Sequence, residues 1–277
     1  MGTYLNPGNS GFKRILKGNY VDKTGMIEII NDRIETSDNL ICVSRPRRFG
    51  KSYAAKMLCA YYDKSCDSAK LFDDLEIAQE SSYHKHMNQY NVIYLDMTGV
   101  MGEAKKTDII TFMINELTRE LSLAYPALKV EAGFTSTLVN AVSLSGNKFL
   151  AIIDEWDAPI RENPEIQDEY LKFLRLLFKN SGVTDQIFAA AYMTGILPIK
   201  KDGSQSAISD FQEYTMLHPG EFARFTGFSE TQVKRLCKKN KMDFGSVKSW
   251  YDGYELAGEH AAYNPYSVRN ACREKTC

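Results

Sequence analysis

Short runs of apolar residues recur along the first part of the chain and predict buried β-strands. They lie at residues 40–43, 91–96, 149–155 and 186–195, and a weaker fifth strand is predicted at 214–217. Between these runs the apolar spacing becomes that of amphipathic helices, at residues 53–62, 107–123, 134–144 and 168–180. Strands that alternate with helices predict an α/β fold with a parallel sheet covered on both faces.

The first residues of the chain have a different character. Residues 1–19 are polar and rich in glycine, which predicts a loop with a short turn of helix. Asp22 precedes the apolar segment 26–30 and is placed to cap a helix there.

The pattern changes again at about Glu221. Ser229 and Gln232 form a capping-box pattern. Residues 250–254 and 261–263 predict the two arms of a hairpin, and Asn264-Pro265 predicts the start of another helix. We therefore expect a large α/β core at residues 1–220 and a small helical, winged-helix-like appendage at 221–277. Trp250 is predicted to anchor the appendage, with Gly253 in a conformation closed to other residues. The chain stops at Cys277 inside the last predicted helix, so we expect the appendage to be truncated.

Composition narrows the class of protein. The chain has 277 residues, of which 44% are hydrophobic and 25% are charged, and its net charge is −1. This is ordinary globular composition, with no global field to attract nucleic acid or an anionic membrane. The six cysteines show neither a Cys-x-x-Cys pair nor zinc spacing. Together with the lack of a signal-peptide pattern or a transmembrane-length apolar run, they predict a cytoplasmic protein without a membrane partner.

The segment after the first strand carries candidate chemistry. It runs Ser-Arg-Pro-Arg-Arg-Phe-Gly-Lys-Ser from Ser44 to Ser52, between a strand and a helix. In that context backbone N–H groups converge on an anion at a helix N-terminus, which predicts a phosphate-binding loop (a Walker A motif). Lys51 would reach the β- and γ-phosphates of a nucleotide, and the Ser52 hydroxyl would complete a magnesium shell. The predicted nucleotide-binding residues are Arg47, Arg48, Phe49, Gly50, Lys51, Ser52 and Tyr53. Arg45 stands where this pattern usually has its first glycine.

The third predicted strand ends in two acids, Asp154 and Glu155. Carboxylates at the carboxyl edge of a parallel sheet lie where doubly wound folds place ligands. Asp154 would supply the carboxylate that magnesium needs, as in a Walker B motif, and Glu155 would orient an attacking water. A solvated pair of acids is the common alternative for such a strand end. The phosphate-loop pattern earlier in the chain favours the functional interpretation.

Several motifs resemble, in their order along the chain, those of the predicted bacterial AAA-ATPase-like family. They occupy residues 19–24, 45–52, 153–160, 193–196, 250–254 and 263–268, and the similarity runs from about residue 12 to 270. The resemblance implies a P-loop NTPase of the additional-strand, catalytic-glutamate type that uses Mg²⁺ with ATP, and it makes Arg45 a family trait. It also implies that Thr194 occupies the sensor position beside the γ-phosphate. Two departures are Trp156, where the family usually has tyrosine, and residues 209–212, which replace an asparagine-containing stretch.

The resemblance further implies a nuclease-like domain of the PD-(D/E)xK type after residue 277, through which alone nucleic acid would be bound. The leading hypothesis is Mg-ATP hydrolysis that couples nucleotide state to a partner or to that domain. The alternative is a slow nucleotide-dependent switch or scaffold with little turnover. A small-molecule kinase fits less well, because it has no need for a hydrolytic glutamate directly after the magnesium aspartate.

Several residues have more than one possible role when only the sequence is considered. Arg161, Arg175 and Arg224 are all candidates for an arginine finger, or a homo-oligomer or protein partner supplies one. Tyr20 and Asp22 would flank the adenine, although packing and helix capping explain them equally well. Thr194 would otherwise cap a turn. The basic run at 234–241 is either a nucleic-acid contact or, more commonly, a solvated helix face.

Overall fold

The computed structural model describes residues 2–104, 108–179, 182–199, 208, 210–251, 254–256 and 260–274. The strands are β1 Leu40–Ser44, β2 Asn91–Asp96, β3 Phe149–Asp154, β4 Phe188–Gly195, β5 Gln212–Tyr214, β6 Tyr254–Leu256 and β7 His260–Ala262. The helices of the first half are α1 Ser10–Leu16, α2 Met26–Asn31, α3 Lys51–Tyr62, α4 Ala69–Phe72, α5 Tyr83–His86, α6 Met97–Ala104, α7 Ile109–Ala124 and α8 Phe134–Ser145. Those of the second half are α9 Ala158–Glu162, α10 Gln167–Phe178, α11 Thr184–Ile187, α12 Glu230–Asn240, α13 Phe244–Trp250 and α14 Pro265–Glu274. Short 3-10 helices occupy Glu76–Gln79, Pro164–Ile166 and Gly220–Phe225.

Five strands form a parallel sheet in the order β2-β3-β4-β1-β5, which confirms the predicted α/β class. Strand β4 lies between β1 and β3, so the strand that ends near Thr194 separates the phosphate-loop strand from the acidic strand. The register pairs Asp154 with Thr194 and with Asp96, and it pairs Ser44 with Gly195. The carboxyl ends of the central strands therefore meet at one edge of the sheet.

Alternate side chains of β1 enter opposite apolar cores, as the period of a strand requires. Leu40 and Cys42 belong to the core that α7, α8 and α10 cover, whereas Ile41 and Val43 belong to the core that α2 and α3 cover. Burial on both faces explains why these strands appear in the sequence as continuous apolar runs. Within the described ranges, no helix is both long and apolar enough to cross a membrane.

The first residues cover the β2 edge of the sheet, which the sequence did not predict. Leu5 forms an antiparallel bridge with Ile93. The buried Glu120 carboxylate of α7 accepts hydrogen bonds from the backbone N–H groups of residues 3, 4 and 5, at 2.7–2.9 Å. A covered edge cannot pair with another chain, so this segment protects the sheet.

Two local predictions in the core are wrong. Asp22 does not cap α2, because its Oδ1 accepts from the N–H and hydroxyl groups of Thr24 and its Oδ2 accepts from the N–H of Glu76. The fifth strand is Gln212–Tyr214 instead of 214–217. The chain turns after Tyr214, where the N–H of Thr215 donates to the carbonyl of His218 at 3.1 Å, so the segment cannot continue along β1.

The predicted capping motifs of the C-terminal part are confirmed. Ser229 and Gln232 form a capping box at the start of α12. The Oδ1 atom of Asn264 accepts from the N–H groups of Tyr266 and Ser267 at the start of α14. Strands β6 and β7 pair antiparallel as the predicted hairpin, and α13 is an additional helix that the sequence pattern did not indicate. Gly253 and residue 209 lie outside the described residues.

The predicted anchor of this C-terminal part is wrong, since Trp250 is 69% exposed at the end of α13. The buried aromatic residue is Tyr263, whose backbone pairs with Phe228 in an antiparallel bridge. Val233, Val268 and Phe228 share its apolar cluster. A tryptophan followed by a polar turn suggested a hairpin anchor, but the end of α13 directs it away from the cluster.

Truncating Tyr263 should therefore destabilise the C-terminal part far more than truncating Trp250. We expect Tyr263→Ala to lower the free energy of unfolding by about 3–5 kcal/mol, as for other large aromatic side chains removed from a core. Trp250→Ala should change it by about 0.5 kcal/mol or less, as at other exposed positions. Urea unfolding of both variants beside the wild type measures the difference. Equal losses would show that Trp250 is buried in solution.

Candidate nucleotide-binding site

The loop between β1 and α3 turns at Arg48 and at Gly50, the second glycine of the usual pattern, and not at Arg45, which replaces the first. Arg48 and Gly50 adopt φ angles of 71° and 91°, in the left-handed region. A Cβ on Gly50 would meet no atom within 4 Å, so the constraint there is conformational and not steric crowding. The carbonyl of Gly50 accepts from the N–H groups of Tyr53 and Ala54, which starts helix α3.

Arg45 has a structural position at the base of this loop and is 1% exposed. Its Nε donates to the Thr226 hydroxyl at 2.8 Å, and its Nη1 donates to the carbonyls of Ser44 and Tyr214 at 2.8 and 2.7 Å. Burial lowers the pKa of Arg45 to about 10. The arginine thus connects the phosphate loop to β5 and to the segment that leads into α12.

Lys51 begins α3 and is buried, with 6% of its surface exposed. Its Nζ donates to the carbonyls of Arg45 and Pro46 at 3.1 and 3.0 Å. Burial lowers the pKa of the Lys51 ammonium, and the nearby carboxylates of Glu155 and Asp154 oppose that change. The structure therefore places the Lys51 ammonium at the loop, near Asp154 at the end of β3 and near Glu155, which follows it.

Asp154 ends β3 beside the loop and is 1% exposed. Ser52 lies beside the carboxyl group of Asp154, and Oδ1 of Asp154 has no hydrogen-bond partner among the described residues. The hydroxyl of Thr194, its register neighbour on β4, is also buried without a described partner. Burial raises the pKa of Asp154 to about 6.

A serine hydroxyl and a carboxylate with an unused oxygen fit Mg²⁺, which takes one or two protein ligands and completes its shell with waters and phosphates. The described residues contain no group of three or more histidine, cysteine or acidic side chains that could hold a metal.

Neutralising Asp154 should stabilise the protein when nucleotide and metal are absent. The pKa of the carboxyl group rises from 3.8 to about 6 on folding, so the folded state keeps its proton while the unfolded chain ionises between these pH values. Stability is therefore lost as the pH rises through this window, by about 3 kcal/mol when ionisation is complete. Asp154→Asn should recover about that much at pH 7.5 and almost nothing at pH 4.

Urea unfolding at the two pH values measures this difference. Asp96→Asn, at the end of the neighbouring strand, is the matched control and should have a smaller effect. A variant that is less stable than the wild type at pH 7.5 would contradict the cost assigned to this buried charge.

Glu155 follows Asp154 and adopts a φ angle of 53°, a left-handed conformation that costs a non-glycine residue about 1 kcal/mol or more. Its Oε2 accepts from the hydroxyl of Thr98 and from Nη2 of Arg161, both at 3.2 Å. Arg161 in turn donates from Nε to Oδ2 of the fully buried Asp157 at 2.8 Å. Asp157 also accepts from the N–H groups of Ile196 and Leu197 after β4, so it holds the chain at the end of that strand.

An open pocket leads from the loop to an apolar end. The apolar end is lined by Tyr20, Val21, Met57, Phe225, Phe228 and Pro265. Helix α14 closes over the loop, because Arg48 lies over the ring of Tyr266 at 4.2 Å, and Nη1 of Arg269 donates to the hydroxyl of Tyr53 at 2.7 Å. The pocket is therefore built by both ends of the chain and by the loop between them.

The structure gathers most of the predicted residues at this pocket. Those that line it are Arg48, Phe49, Gly50, Lys51, Ser52, Tyr53 and Glu155. Asp154 and Thr194 lie behind them at the strand ends, whereas Arg47 is exposed and is not among the lining residues. Tyr20 lines the pocket and Asp22 does not.

The three candidate finger arginines differ in position. Arg161 contacts Glu155, Arg224 lies over the ring of Phe225 at 4.6 Å, and Arg175 is on the exposed side of α10. Sequence reasoning did not identify Arg269 or Thr98. The position of Arg269 directly after the motif at 263–268 is a sequence signal that could have identified it. No motif lies next to Thr98.

The strand order and the loop define the class of protein: this is a P-loop ATPase fold with an additional strand between the loop strand and the acidic strand. The family comparison agrees, since residues 7–204 match the family model described as Predicted AAA-ATPase. The chain belongs to that family.

Individual relatives are distant. The chain is 26% identical over 271 residues to the "Uncharacterized protein in vnfD 5'region" of Azotobacter chroococcum mcd 1. That match covers 93% of the chain and 49% of the relative, so the chain spans about half the relative's length.

Among solved structures, the Walker-type ATPase PABY2304 of Pyrococcus abyssi is 12% identical with a TM-score of 0.44, over 91% of this chain and 67% of that one. The ORC2 protein of Aeropyrum pernix is 11% identical with a TM-score of 0.47, over 93% and 67%.

Proposed function

We propose that this protein binds Mg-ATP and hydrolyses it to ADP and phosphate. The observation that carries the proposal is the meeting of Lys51, the Ser52–Asp154 pair and Glu155 at the carboxyl ends of β1 and β3, beside one pocket. Membership of the Predicted AAA-ATPase family supports the same function. The apolar end of the pocket suits a nucleobase, because bases bury flat apolar faces.

Each residue has a separate task in this proposal. The loop N–H groups and Lys51 bind the phosphates. Ser52 and Asp154 would hold Mg²⁺, which would supply positive charge to the phosphates. Glu155 orients water for in-line attack on the γ-phosphorus and accepts its proton as the bond to the bridging oxygen breaks. Thr194, buried next to Asp154, hydrogen bonds toward the γ-phosphate and so distinguishes ATP from ADP.

The C-terminal part would respond to the nucleotide in this scheme. Arg48 and Tyr53 of the loop region contact Tyr266 and Arg269 of α14, so a change at the phosphates alters contacts of that helix. We propose residues 221–277 as a separate unit that passes the nucleotide state to a protein partner, to another copy of the chain or to a following domain. Nucleic acid would be bound only through such a domain, and the reducing cytoplasm is the proposed location.

Two measurements on the wild type test the function. Calorimetry with ATP and with ADP, each with and without Mg²⁺, measures binding, and a coupled assay measures phosphate release per site. We expect Mg²⁺-dependent binding and measurable turnover. Binding without turnover would favour the nucleotide-dependent switch, and absence of binding would contradict the proposal as a whole.

A further inference from the structure

The contacts around Glu155 carry one inference that deepens the proposed hydrolysis and rests on it. We infer that Arg161 is a positioning residue that holds one carboxylate oxygen of Glu155 so that the other faces the attacking water. Arg161 acts through Glu155 and has no direct contact with the phosphates in this role.

The argument begins with the two oxygens of the carboxylate. Thr98 and Arg161 both donate to Oε2, each at 3.2 Å, whereas Oε1 accepts no hydrogen bond from the described residues. Two donors on one oxygen fix the orientation of the carboxylate, and the second oxygen can then accept a proton from water. The Glu155 side chain is 29% exposed and lines the pocket, so water can reach its carboxylate.

Arg161 is itself held in place, as a positioning residue must be. Its side chain is 15% exposed, and its Nε donates to Oδ2 of Asp157 at 2.8 Å. Asp157 is fully buried and is fixed by the N–H groups of Ile196 and Leu197. Because those residues follow Thr194 at the end of β4, the arginine links Glu155 to the strand that carries the predicted sensor residue.

A guanidinium suits this place for a geometric reason. Its N–H groups lie in one rigid plane, so it can bind Asp157 through Nε and Glu155 through Nη2 simultaneously. A lysine offers a single flexible ammonium and would satisfy one acid better than the other. Glu155 also adopts a left-handed backbone conformation, which aims its side chain toward Thr98 and Arg161.

Steady-state and single-turnover phosphate release by the full chain test the inference with Arg161→Met and Arg161→Lys. We expect Arg161→Met to lower kcat by about 10- to 100-fold, as expected when a reacting group is displaced by about 1 Å. KM for Mg-ATP and Kd for Mg-ADP should stay within about twofold of the wild type, and Arg161→Lys should recover part of the loss. Glu162→Gln, an exposed residue of the same helix, is the control and should retain wild-type turnover.

A double-mutant cycle separates action through Glu155 from direct action on the phosphates. In the Glu155→Gln background, Arg161→Met should lower kcat less than about threefold, because the group it positions has been removed. If the fold-losses in kcat of the two single variants multiply in the double variant, or if Arg161→Met raises the Kd for Mg-ADP, Arg161 acts on the nucleotide itself. A rise in kcat on removing Arg161 would mean that the contact restrains Glu155, and either result overturns the inference.

Thr98→Val keeps the test decisive if the Arg161 variants do not fold, since Thr98 is exposed and donates to the same Oε2 without touching Asp157. Its kcat should fall by about 3- to 10-fold, and unchanged turnover would overturn the two-donor arrangement. Absent wild-type turnover would overturn the proposed function together with this inference. The inference alone would be overturned by a different result. In that result, Glu155→Gln abolishes phosphate release, but neither the Arg161 variants nor Thr98→Val reduces it.

Discussion

Replacing Glu155 by glutamine should lower phosphate release by about two to four orders of magnitude, the usual contribution of a positioned base. Glutamine preserves the size of the side chain and can still accept from Arg161 and Thr98. It cannot take a proton from water at neutral pH. Mg-ATP should still bind, and more tightly, because a negative charge near the γ-phosphate has been removed.

Phosphate release per site and calorimetry on wild type and variant measure the two effects together. Glu162→Gln is the matched control, since it makes the same chemical change on an exposed face nearby. Turnover that survives Glu155→Gln would remove Glu155 from the mechanism. Intact ATP binding with negligible wild-type turnover would favour the nucleotide-dependent switch.

Replacing Lys51 by alanine should weaken Mg-ATP binding by about two orders of magnitude or more. The lysine is held at the loop by the carbonyls of Arg45 and Pro46, so little ordering is needed when phosphates arrive. Each hydrogen bond from a charged group to a phosphate contributes about 1.5–3 kcal/mol. The fold should persist, because Lys51 lies at the first turn of α3 and the sheet does not depend on it.

Calorimetry with Mg-ATP measures the affinity, and circular dichroism checks that the variant is folded. Lys56→Ala is the control, because Lys56 is on the same helix and is not among the residues that line the pocket. A folded Lys51→Ala variant with wild-type affinity would show that the loop is not a nucleotide site.

The core strands could be predicted because burial on both faces makes them continuous apolar runs. The predicted strand at 149–155 differs from β3, Phe149–Asp154, by a single residue. The short edge strand β5 was misplaced, since its three half-buried residues, Gln212–Tyr214, have no apolar pattern. The bridge from Leu5 to β2 depends on tertiary packing, which local patterns do not encode.

The parts of the site that lie within one short sequence segment could be predicted. The loop and the acidic pair each follow a strand, and the parallel sheet brings their ends together. The partners of Glu155 were not predictable in the same way. The spacing of Asp157 and Arg161 permits a helical i,i+4 pair, but the approach of Thr98 from α6 depends on how that helix packs.

The position of β5 has a consequence for experiments that dissect this protein. The family match ends at residue 204, whereas β5 begins at Gln212 and pairs with Ile41–Val43 of β1. A piece cut at residue 204 would keep Lys51 and Glu155, yet it would leave β1 as an open edge strand with unpaired backbone groups. Apolar edge strands of this kind pair with other chains, so such a piece should aggregate for reasons unrelated to catalysis.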